Sequence, residues 1–253
     1  MVTAVQDPVL VLDDVAKSYG HVEALKGVSC ALSAHEVVAL VGDNGAGKST
    51  LIKVLAGAHR PDRGNVMLDG NAIELGDSRQ AVALGIATVY QDLALVESMD
   101  VARNIYLGTV PRRLGVFVDY PRMYKDAAVV LRSLSITLPS VRAKVGDLSG
   151  GQRQAVAIAR ALAHSARVVL MDEPTAALGV EQQEKVNELI LRLREQGKSV
   201  VVISHNLDHL FGIADRFLVL RHGRLVGARG VAETTREEIV GLITGAIPGD
   251  RPA

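Results

Sequence analysis

Four short runs rich in β-branched residues, at 37–41, 86–89, 168–171 and 200–203, are apolar at nearly every position. A strand that is apolar on both faces is buried on both, as in a parallel sheet covered by helices. Further runs at 9–12, 28–32 and 66–68 read as strands of an early β-rich layer. Between the runs the period changes. Residues 181–196 place Val186, Leu189, Ile190 and Leu193 on one helical stripe, and Gly197 stops it. Thr235 and Glu238 have the spacing of a capping box opening a helix that ends at Gly245. This alternation predicts an α/β core with a mostly parallel sheet and an antiparallel β layer at the N-terminal side.

The stretch 92–147 breaks the pattern. It holds Pro111, Gly115, Pro121 and Pro139 and helical pieces at 101–107 and 123–134. It is expected to be a helical subdomain inserted into a single domain of residues 1–253, whose core is 1–91 and 148–253.

Composition narrows the function. The chain has 253 residues, of which 48% are apolar, enough for a substantial core. Only 3% are aromatic and none is Trp, poor equipment for stacking on bases. Lys+Arg and Asp+Glu both total 28, so no basic surface points to nucleic acid. Cys30 is the only cysteine, which excludes an intrachain disulfide and a Cys-based zinc site. Residues 1–8 lack a signal-peptide pattern, and no apolar run is long enough to span a bilayer. A membrane process would be served from outside the lipid, through a partner.

The strand at 37–41 leads into Gly42, Asp43, Asn44, Gly45, Ala46, Gly47, Lys48, Ser49 and Thr50, followed by an apolar helix beginning near Leu51. This is the strand–loop–helix setting of a phosphate loop. Its glycines let backbone N–H groups wrap a phosphate, and the helix N-terminus adds partial positive charge. Lys48 is placed to reach the β/γ-phosphates and Ser49 to ligate Mg²⁺. The strand at 168–171 ends in Asp172 and Glu173, with Pro174 forcing an exit. Asp172 is expected to partner Mg²⁺ on a strand beside the phosphate-loop strand, and Glu173 to orient and deprotonate an attacking water.

A second anion cradle follows. Leu148, Ser149, Gly150, Gly151 and Gln152 precede a helical stretch at 155–163; Ser149 can cap it, and the glycines leave bare N–H groups. One ATP needs one cradle, so the second would serve a partner chain's nucleotide.

With that pentapeptide between a phosphate loop and an Asp-Glu strand, the sequence resembles the ATP-binding subunits of ABC transporters over roughly residues 9–245. The resemblance implies the ABC ATPase fold, ATP and Mg²⁺ as cofactors, and a homodimer in which each chain's Ser149, Gly150, Gly151 and Gln152 close over the other's ATP. It further implies that Tyr19 stacks on adenine, the alternative being a half-buried strand-end tyrosine. Gln91 would contact Mg²⁺ and water, joining Ser49 and Asp172 as metal ligands, and His205 would sense the γ-phosphate, acting with Glu173 and Lys48 in catalysis. Gly179 departs from the family pattern, which has Asp there, and puts the coupling between the two ATP sites in doubt.

Soluble ABC ATPases of repair or translation, exporter motors and nucleoside importers are the competing classes. The wording at 38–57, 87–96 and 100–108 is most similar to carbohydrate importers of the ribose, xylose and fructose type. That resemblance implies a peripheral subunit at the cytoplasmic face of the plasma membrane, seated on an integral permease and served indirectly by a solute-binding protein. It also implies a single ATPase half, without the C-terminal regulatory domain of maltose-type motors.

Overall fold

A computed structural model of the chain describes residues 8–163, 166–176 and 178–250. Residues 1–7, on which the signal-peptide reading falls, and Ala177, two positions before Gly179, thus lie outside the described residues.

In chain order, β1 (Pro8–Tyr19), β2 (Val22–Ser33) and β3 (Val37–Gly42) lead into α1 (Lys48–Leu55). Then come β4 (Arg63–Leu68), β5 (Asn71–Ile73), α2 (Ser78–Ala83) and β6 (Ile86–Val89). Residues 92–147 hold α3 (Val101–Ile105), a two-stranded hairpin of β7 (Arg112–Arg113) and β8 (Phe117–Val118), and α4 (Tyr120–Ser133). The chain returns through α5 (Gly150–Leu162), β9 (Val168–Asp172), α6 (Val180–Glu195), β10 (Ser199–Ile203) and α7 (Leu207–Ile213). It finishes with β11 (Arg216–Arg221), β12 (Arg224–Gly230) and α8 (Arg236–Thr244).

The main sheet runs β12-β11-β3-β10-β9-β6, parallel except for the edge strand β12. A second, antiparallel sheet runs β2-β1-β4-β5. The continuous apolar runs follow from burial on both faces. Val37, Ala39 and Val41, with Val169, Met171, Val200 and Val202, face one apolar cluster shared with α3 to α6. Val38, Leu40, Leu170, Val201 and Ile203 face the other, shared with α1 and the antiparallel sheet. Successive side chains point to opposite faces, so each strand feeds both cores. Burying one such Val or Leu is worth about 1.5–3 kcal/mol.

Two local expectations need correction. β9 does not lie beside β3; β10 sits between them, paired in parallel with both. Strand order is a tertiary property that no local pattern encodes. At Thr235 only half of the capping box forms. Its Oγ1 accepts the Glu238 N–H, but the Glu238 carboxylate turns instead to Arg229 and Thr234. An arginine within reach offers a charge-assisted bond stronger than a backbone N–H.

Candidate active site

The phosphate loop is built by exclusion. A Cβ on Gly42 would stand 2.2 Å from the Leu220 carbonyl oxygen, and one on Gly47 2.7 Å from that of Ala24. Both glycines also adopt positive φ. The fold therefore demands glycine at the two ends of the loop. The tip of the β11–β12 hairpin braces it: the Gly223 N–H donates to Ala46 O at 2.9 Å, and the Lys26 N–H to Gly223 O at 2.8 Å. Gly47 caps α1 without a side-chain bond, so the first N–H groups of that helix have no side-chain acceptor.

Lys48 is buried, and its ammonium donates to the carbonyls of Gly42 at 2.7 Å and Asp43 at 3.0 Å. Burial pulls its pKa below the ordinary lysine value, against the opposing charges of Glu173, Asp43 and Asp172. Asp43 turns its own carboxylate back on the loop, accepting the Asn44 N–H at 2.7 Å.

The two carboxylates sit at the end of β9. Burial pushes Asp172 above the usual carboxylate range, partly offset by Lys48, Lys53 and His205. Burial likewise raises Glu173, against the pull of His205, with Asp172 adding to the rise. Glu173 is a non-glycine residue at φ 51°, and its N–H is held by Ile203 O at 2.9 Å. A strained backbone of this kind at a strand end aims a side chain where regular geometry would not. His205 Nε2 lies 3.2 Å from Glu173 Oε1, yet that oxygen is buried without a hydrogen bond.

These groups line one open cleft of about 520 Å³: Asn44 to Thr50 on its floor, with Gln91, Asp172, Glu173 and His205. Gly42 and Asp43 sit behind the lining. Tyr19 stands outside it, exposed, its ring edge-on to His59 at 5.4 Å. The opposite wall consists of Val22, Glu23, Ala24 and Lys26 from β2, and of His222 and Gly223. Sequence reasoning missed that wall, because it is assembled from distant strands. The His-Gly pair between two arginine-flanked strands was the one available turn signal. Arg160 was missed too. Its guanidinium donates to Leu93 O and Ala94 O at 2.7 and 2.8 Å, tying the segment after Gln91 to α5.

Ser149 to Gln152 do not join this cleft. Ser149 caps α5, accepting the Gln152 N–H, while Gln152 Oε1 accepts the Ser149 N–H at 3.0 Å, a complete capping box. Ser149, Gly151 and Gln152 face a separate cavity of about 400 Å³ bounded by residues 134–137 and α6. The polar set in the cleft fits a magnesium nucleotide. Ser49, Gln91 and Asp172 offer a hydroxyl, an amide and one carboxylate, the all-oxygen set of a hard cation that keeps several waters. Unsatisfied helix N–H groups and a buried lysine suit phosphate oxygens.

The family model for ABC transporters matches residues 25–176. The xylose/arabinose import ATP-binding protein XylG of Sulfolobus acidocaldarius is 45% identical over 235 residues, 93% of each chain. The fructose import ATP-binding protein FrcA of Rhizobium meliloti is 42% identical and covers 98% of each chain. The ribose import ATP-binding protein RbsA of Chromobacterium violaceum is 43% identical over 94% of this chain, which spans 47% of that longer protein. Among solved structures, a nucleotide-free ATP-binding cassette from an ABC transporter superposes with a TM-score of 0.79 at 27% identity, covering 94% of this chain and 95% of that one. A dimeric bacterial ABC transporter cassette does so with a TM-score of 0.75 at 28% identity, covering 88% and 98%. The chain belongs to the ABC transporter family, as one of its ATPase cassettes.

Proposed function

We propose that this ATPase powers the import of a small polar solute, a monosaccharide, as the motor of a transporter whose membrane-spanning permease is a separate protein. It works as a homodimer at the cytoplasmic face of the membrane, and a solute-binding protein feeds the permease. Three relatives named for sugar import support the solute class. The observation that carries the dimer is the separation of the two anion cradles, which open into different cavities of one chain.

In this reading ATP lies along the phosphate loop, with Tyr19 moving onto adenine. Lys48 exchanges its two loop carbonyls for phosphate oxygens. Ser49, Gln91 and Asp172 hold Mg²⁺, which neutralises charge on the phosphates when bound. A second chain brings Ser149, Gly150 and Gly151 over the γ-phosphate. Glu173, with an acceptor oxygen unsatisfied by the protein, takes a proton of the water whose oxygen bonds to the γ-phosphorus, while the bond from that phosphorus to the ADP oxygen breaks and ADP leaves; His205 contacts the γ-phosphate. Dimer closure shifts the 92–147 segment through Gln91 and the Arg160 anchor, and the permease changes its access.

The test has two arms. Turnover per chain should rise with protein concentration as the dimer forms; a constant value would sink the shared site. A tagged chain drawn from detergent-solubilised membranes should bring a polytopic permease encoded near a sugar-binding protein. Recovery of soluble partners alone would sink the transport reading and leave the ATPase standing.

A further inference from the structure

Five large apolar side chains at the surface gather within residues 107–120: Leu107, Leu114, Val116, Phe117 and Tyr120. Three form the tip of the β7–β8 hairpin, with Leu114, Val116 and Phe117 at 85%, 73% and 69% exposure. The turn is strained. Leu114 takes φ 52° and Gly115 φ 74°, and the Val116 N–H returns to Arg113 O at 3.4 Å. Left-handed backbone favours Gly, Asn or Asp. A leucine there contributes neither turn stability nor core, so folding gives no reason for its apolar side chain.

Charge supplies the second observation. The chain as a whole is neutral, yet residues 103–125 hold Arg103, Arg112, Arg113, Arg122 and Lys125 against Asp119 alone. Arg122 is paired with Asp126, and Arg103 with Asp100. Arg112 and Arg113, exposed on β7 beside the apolar tip, have no ion-pair partner among the described residues. Arg103 lies over the exposed Tyr120 ring at 5.4 Å, one more cation beside an aromatic.

An apolar, aromatic tip flanked by unpaired arginines is the composition that settles at an anionic bilayer surface. The tip enters the headgroup boundary while the arginines extend to lipid phosphates. A bilayer of anionic lipid carries one sign of charge over its whole surface, which a pair of unpaired arginines beside an apolar tip matches without a shaped receptor, whereas a protein partner would need carboxylates placed opposite both arginines. We propose that the β7–β8 hairpin is a membrane-surface anchor that binds anionic phospholipid directly, independently of the permease and of the solute moved.

The absence of tryptophan makes this readily testable. Phe117→Trp provides a single reporter. Its emission should shift to the blue with vesicles of phosphatidylglycerol in phosphatidylcholine and stay unmoved with phosphatidylcholine alone, and salt should reverse the shift. In flotation, the full chain with Arg112→Ser and Arg113→Ser together should lose roughly thirtyfold in partition to the anionic vesicles. Leu114→Ser with Phe117→Ser should abolish the blue shift and the partition alike. Unchanged ATP hydrolysis in solution verifies that the variants fold. An unshifted reporter, equal binding to both vesicle types, or binding only when permease is reconstituted in the vesicle would each overturn the proposal.

Discussion

The two glycine-bearing loops of this protein teach different things. In the phosphate loop, Gly42 and Gly47 are fixed by the chain's own backbone, since any Cβ would strike a carbonyl oxygen. In the Ser149–Gln152 loop, Gly150 and Gly151 take ordinary helical dihedrals. Their added Cβ atoms would meet only the Leu178 and Gln182 side chains, at 3.2 Å. The first loop's glycines are explained within one chain. The second loop's are not, and the proposed dimer accounts for them by what would approach the loop from outside.

The sharpest break of that comparison targets the chemistry on the first side. Glu173→Gln should lower turnover by roughly 10²–10⁴-fold while nucleotide affinity, read by equilibrium binding, holds. Near-normal turnover would remove Glu173 from its role. Gly151→Ala tests the second loop. Monomer stability should change by less than about 1 kcal/mol, helix propensity offsetting the tight contact, yet under the proposed dimer turnover should drop roughly a hundredfold as the added methyl blocks a donor to the other chain's phosphate. A Gly47→Ala chain should instead unfold earlier in urea, by about 2 kcal/mol, from the carbonyl clash and the positive φ. If Gly47→Ala and Gly151→Ala behaved alike, the contrast between the loops would be lost.

Three smaller effects sharpen it. Burial makes Glu173 ionise later than an exposed glutamate, so under its proposed role as base the acid limb of the turnover profile should stand above the ordinary carboxylate range, falling about tenfold per pH unit below it. The sign for stability is opposite. A carboxyl whose folded pKa is raised contributes stability at low pH that is lost as pH rises through the folded value. Apo Glu173→Gln should therefore melt above the parent at neutral pH. Finally, Gly179 caps α6 with no side-chain bond, at φ −68° and with open space for a Cβ. Gly179→Asp should stabilise the chain by about 0.5–1 kcal/mol, through the cap and the helix dipole.

Much of the fold was legible. The doubly buried strands announced themselves as unbroken apolar runs, because residues 37–41 of β3, all of β10 and residues 168–171 of β9 are buried. β11 and β12 were missed. Arg216, Arg221, Arg224 and Arg229 cut their apolar stretches short, and Arg216 is held in place by a long-range pair with Glu36 at 2.8 Å. β1 runs past the four apolar residues that marked it, through a register irregularity between Leu12 and Val15 and a positive φ at Asp14. At the site, the strand–loop–helix at 37–55 and the Asp-Glu strand end could be read because each is a contiguous stretch. Arg160, His222 and the β2 wall could not, since each matters only through a contact made across the fold. Gln152 is a mixed case. Its motif was visible, but its side chain is engaged in capping its own helix.

The intervening strand β10 makes the main sheet a measuring device. Neighbouring strands stand about 4.8 Å apart, so the end of β9 is held roughly 10 Å from the end of β3 by two hydrogen-bonded steps. That offset comes in whole strand widths and cannot drift. Loop substitutions can therefore change what Lys48 or Glu173 touches, but not the gauge between the phosphate loop and the end of β9, which is set by the pitch of the backbone itself.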